Sequence, residues 1–172
     1  MNYDESIFKE KANRRARRIW IIFAALLSAN YGADVANHLR GTTYYIIFLA
    51  LCWLPVIAGE IVLRVKGFDT EQYKFNLVIG YDIFYTFVLC TTESPIAFTY
   101  ILPVTSLLVL YKSIRFMVSC GIANSLIIVG GAAYRISQGF NSASDMKNYQ
   151  LELACIILCY ICYVLSIRHL IE

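Results

Sequence analysis

Four side chains with acidic or hydrogen-bonding chemistry fall inside apolar stretches of this sequence: Asp82, Thr105, Asn124 and Tyr160. An ionised carboxylate in hydrocarbon is costly, so an acid placed like Asp82 signals a cavity, a partner or a proton-linked role. Counted at about 1.5 Å per residue from the ends of their stretches, all four come out near the same depth. Together they can form one polar layer. One reading makes that layer a small-ligand or proton-sensing pocket centred on Asp82. The other makes it an interhelical hydrogen-bond cluster that fixes packing.

The remaining acids have simpler expectations. Glu60 has Arg64 one turn on, which predicts a local pair with snorkelling. Asp34, Glu93 and Glu152 fall toward the opposite face, either as an acidic rim for a cationic ligand or as solvated helix ends. No Gly-rich phosphate loop, paired histidines or nucleophile with a nearby base is present, so catalysis and a bound cofactor are not expected. His38 and His169 fall at opposite ends of the spans. The six cysteines all lie in apolar runs without ligand spacing, which excludes a disulfide framework or a metal site as the reading. Three of them, Cys155, Cys159 and Cys162, share one helical face as small packing residues.

The elements that position these residues follow from composition. Of 172 residues, 59% are hydrophobic and only 16% charged, whereas a soluble domain carries about 25% charged residues. Lipid is the implied solvent. About 20 apolar residues cross the roughly 30 Å hydrocarbon layer, and six such runs stand at 18–38, 43–65, 72–91, 95–111, 116–135 and 149–170. The first is too long, and too poorly followed by a soluble region, to be a cleaved signal peptide. Lys and Arg collect on cytoplasmic loops. With the N-terminus inside, twelve of the fifteen lie on inner segments, leaving Arg40, Arg135 and Lys147 outside. The expectation is an all-α, six-span bundle of a bacterial cell membrane with both termini cytoplasmic. A basic juxtamembrane segment (1–17) would lie on the membrane surface, followed by the membrane domain (18–170) and the start of a further cytoplasmic portion (171–172). The basic segment is read as fixing the topology, with each cation able to gain about 1 kcal/mol near anionic lipid; nucleic acid has no support.

Two small-residue rows, Ala25/Ala29/Ala33 and Ala24/Ser28/Gly32/Ala36, let the first helix approach a neighbour or a second copy closely. Pro55 and Pro103 are expected to kink the second and fourth helices, leaving the carbonyls of Leu51 and Thr99 without their helical donors. Ser142 with Asp145 three residues on is a start signal for the last helix.

Taken in order, "ANRRARRIW", "LALCWLPVIAGEIVLRVKGFDTEQYK", "IGYDIFYTFVLCTT", "FTYILPVTSLLVLYKSIRFMVSCGIAN" and "NSASDMKNYQLELACIILCYICYVLSIRHL" resemble the N-terminal membrane regions of methyl-accepting chemotaxis proteins of Gram-positive anaerobes. The resemblance covers nearly the whole chain but contains no ligand motif to carry over. It implies a homodimeric sensory domain whose last membrane helix continues into a cytoplasmic coiled coil that docks a coupling protein and a histidine kinase. The helix ending "LSIRHLIE" has no cap, which fits a chain cut where that portion would begin. Two other classes share the pattern: the substrate-binding membrane subunit of a vitamin transporter, and the membrane input of a sensor kinase or cyclic-dinucleotide synthase.

Overall fold

The computed structural model describes residues 3–92 and 94–172; Glu93 lies outside the described residues. Every described element is helical: α1 (Tyr3–Ala36), α2 (Thr42–Lys66), α3 (Gln72–Thr91), α4 (Leu102–Leu107), α5 (Ile114–Ser137) and α6 (Ala143–Ile171). Two 3-10 segments, Pro95–Ile101 and Leu108–Tyr111, flank α4. Helices α1, α2, α5 and α6 are long and apolar enough to cross a membrane, and the chain is a membrane protein. The backbone groups of such segments must be satisfied internally, which is why the apolar runs fold as helices.

The chain divides into two compact units, Met1–Phe84 and Tyr85–Glu172. In the first, α1 buries one line of residues: Ala12, Asn13, Ala16, Trp20, Ala24, Leu27 and Tyr31. Tyr31 stacks on Phe48 of α2 with centroids 4.1 Å apart, and Phe48 meets Phe84 edge-on at 5.1 Å. Trp20 lies 6.2 Å from Tyr73. It is buried there. The small-residue rows separate. Ser28 accepts from Tyr45 Oη on its carbonyl and from Trp53 Nε1 on its hydroxyl, both at 2.8 Å, and Gly32 makes room for the Tyr45 ring. Ala25, Ala29 and Ala33 face outward.

From Tyr3 on, the basic segment is the first turns of α1 itself, so α1 is one rod about 51 Å long. Its first turns grip the α2–α3 connection. Asn13, fully buried, donates to the carbonyls of Phe68 and Thr70 at 2.8 Å each. Ser6 donates to Asp69 at 2.8 Å, Lys9 meets Glu71 at 2.5 Å, and Arg14 lies 4.1 Å over the Phe68 ring. Gly67, at φ 93°, closes α2 and turns the chain toward these contacts. Glu60 is held by Arg17 of α1 instead of Arg64. Two helices side by side offer a cation whose stem need not bend along its own helix. The hydrogen bond to Glu60 raises the already high Arg17 pKa. Likewise the hydrogen bond to Glu71 raises that of Lys9, and Lys9 lowers that of Glu71.

Pro55 stands inside α2, where Asn76 of α3 donates to its carbonyl at 3.2 Å and Gly80 lies against its ring. Pro103 corrects the expectation of a kinked fourth helix. It sits in the first turn of α4, where its missing N–H is not needed. The Thr99 carbonyl is not orphaned, because Leu102 N–H bonds it in 3-10 fashion.

In the second unit Ser113 caps α5 by accepting from Phe116 N–H. Ser142 and Asp145 form a reciprocal capping box that starts α6. Tyr149 ties the α5–α6 turn by donating to Phe140 O at 2.8 Å.

Candidate functional site

Asp82 sits half-buried on α3 in the first unit, while Thr105, Asn124 and Tyr160 belong to the second. Asn124 and Tyr160 bond each other, whereas Thr105 reaches a different tyrosine of α6, Tyr163. Asn124 of α5, buried, donates from Nδ2 to Tyr160 Oη of α6. One turn on along α6, Tyr163 Oη lies 2.9 Å from Ser106 Oγ and 3.3 Å from Thr105 Oγ1. Both small hydroxyls also give their protons to the Leu102 carbonyl, at 2.8 and 2.9 Å. The rings of Tyr160 and Tyr163 meet edge-on at 5.7 Å, so the α5–α6 pair and the α4–α6 hydroxyl cluster lie side by side, joined through a ring contact.

Local sequence explains the geometry. Tyr160 and Tyr163 are three residues apart and lie on adjoining parts of one face. Gly121 of α5 lets the Tyr160 ring approach: a Cβ there would stand 3.0 Å from its ring carbons. Tyr163 and Ser106 were missed by reading the sequence for depth alone; the "YICY" spacing and the "TS" pair were the available signals.

No family model matches the chain, and no curated protein or solved structure matches it.

The group is not chemically closed. Asn124 Oδ1 is buried and has no hydrogen-bond partner. A buried unsatisfied acceptor costs about 1–3 kcal/mol, so a donor brought to it is favoured. Asn124's partner Tyr160 lines, with Gly121, a hollow of about 530 Å³ between α5 and α6 whose wall is otherwise almost wholly aliphatic. In the first unit a second hollow, about 400 Å³, surrounds Pro55, Asn76 and Gly80.

The expected acidic rim takes another form. Asp34 pairs with Arg40 at 2.9 Å, and Arg40 lies 4.3 Å over Tyr31. Glu152 is neither rim nor solvated end: it is buried, its Oε1 has no partner, and Arg135 supplies the opposing charge that acts on it.

Proposed function

We propose that this chain is the membrane-embedded input domain of a bacterial signal transducer of the methyl-accepting chemotaxis kind, with α6 as the element that carries the signal out. The observation that supports this reading is the hydroxyl group on α6. Tyr160 and Tyr163 tie one helix to α5 and to the 3-10-flanked α4, with an unsatisfied acceptor in their midst. A stimulus biases a two-state bundle only if it interacts differently with the two states. A donor that reaches Asn124 Oδ1 in one state and not in the other would do so, because the acceptor is unsatisfied in this arrangement. The 3-10 segments beside α4 mark a place where helical geometry is poised to change.

The proposed topology is six spans with both termini cytoplasmic. Helix α3 adds a fifth span of 20 residues. The segment Pro95–Tyr111 has 17 residues and would measure only about 26 Å as an α-helix. Its 3-10 portions rise about 2 Å per residue, which brings it near the roughly 30 Å needed. The transducer is a homodimer through α6, coupled through a cytoplasmic coiled coil to a coupling protein and a histidine kinase.

The test is Asn124→Leu and Asp82→Asn, separately, in the full-length receptor, reading kinase control with insertion levels checked. Asn124→Leu is expected to lock kinase output in one state. Unchanged responses in both variants would leave these residues as packing groups and end the sensory reading.

A further inference from the structure

Six cations crowd the first five turns of α1, and the structure sorts them into two classes. Lys9 is held by Glu5 and Glu71, Arg14 by Glu10 and the Phe68 ring, and Arg17 by Glu60. Lys11, Arg15 and Arg18 have no carboxylate, ring or hydrogen-bond partner among the described residues, and all three are exposed. Their spacing of four and three residues puts them on one line of the helix. That line is opposite the buried one that contains Asn13, Ala16 and Trp20. It continues into Ile22 and Leu26, exposed by 58% and 63%.

We infer that Lys11, Arg15 and Arg18 form a binding strip for anionic phospholipid headgroups on the leaflet from which the N-terminal turns of α1 emerge. The physical match is along the helix axis. Lys11 to Arg18 spans about 10 Å, and a headgroup layer is roughly 5–8 Å thick, with Lys and Arg stems long enough to close the difference by snorkelling. Ile22 and Leu26 on the same line then meet the acyl chains of the same lipids. A second copy of the chain is a poorer occupant of this face. A two-fold contact would set three unpaired cations against three others, with a single carboxylate on the line, Asp4 seven residues before Lys11, to answer them.

Each cation brought to an anionic surface favours association by about fivefold, so the effect is readable. The experiment reconstitutes the full chain in phosphatidylcholine vesicles. It then compares spin-labelled phosphatidylglycerol with spin-labelled phosphatidylcholine in the motionally restricted fraction. The wild type is expected to prefer phosphatidylglycerol severalfold and to lose the preference in high salt, since exposed charges are screened. The triple variant K11Q/R15Q/R18Q keeps the helical propensity of the segment and should fall to near parity. R64Q/K66Q, which removes two exposed cations at the end of α2, should keep most of the preference. Should the triple variant misfold, wild type in the salt series and R15E alone carry the test. An undiminished preference in the folded triple variant, or an equal loss per charge in R64Q/K66Q, overturns the strip.

Discussion

Tyr163 shows how a single hydroxyl can bind two helices without a charge. It reaches Ser106 and Thr105, and interhelical hydrogen bonds in membranes are worth about 0.6 kcal/mol on average and at most about 1.7. Tyr163→Phe should therefore lower stability by an amount in that range while leaving insertion intact, measured by unfolding in mixed micelles. No change at all would mean that the Leu102 carbonyl alone satisfies both small hydroxyls. Gly80 poses a steric question instead. A Cβ there would collide with Cβ of the Pro55 ring and crowd its Cγ, ring atoms that cannot swing aside. Gly80→Ala is expected to cost about 1–3 kcal/mol by overpacking in the same assay. Gly130→Ala, where a Cβ meets nothing, should cost little.

The first turns of α1 are the element whose behaviour depends most on solution conditions. Glu71 is lowered from its ordinary value of 4.5 and Lys9 is raised from 10.5, each chiefly by their mutual hydrogen bond. A lowered acid contributes above its ordinary value and loses that contribution as pH falls through the folded value. A raised base contributes below its ordinary value and loses it as pH rises through the folded one. The pair thus holds across the neutral window and releases at either end. Glu71 is largely exposed, so the effect is local and sensitive to salt. Hydrogen exchange of the amides at 67–71 should be faster in Glu71→Gln than in wild type near neutrality. The difference should vanish in acid below the ordinary carboxylate range. A difference that persists in acid would assign the grip to Asn13 and Ser6 alone.

At the scale of the whole chain, topology is the quantity to measure. In a background without native cysteines, a cysteine at position 142 should be labelled from outside. Cysteines at positions 12 and 172 should be labelled only after the membrane is opened. Position 172 reached from outside would remove the six-span arrangement. Crosslinking with cysteines walked along α6 should give a periodic dimer band, and a strictly monomeric mass in several mild detergents would count against the homodimer.

Much of the helical layout was legible in the sequence, because in lipid the backbone has no solvent to bond and an apolar run has one structure available. The Ser142–Asp145 box is as legible, since a cap acts within four residues. Tertiary structure decided whatever depends on a neighbour's reach. Glu60 had a cation one turn away and takes another from α1. The small-residue rows looked alike, yet one packs on α2 and the other faces outward. Pro103 reads as a kink only while the fourth run is assumed to be one α-helix, and a 3-10 entry makes it a start. Six cations that are equivalent in sequence become three that lock the fold and three left free for a partner. Periodicity defines a face, but only the packed chain shows what meets it.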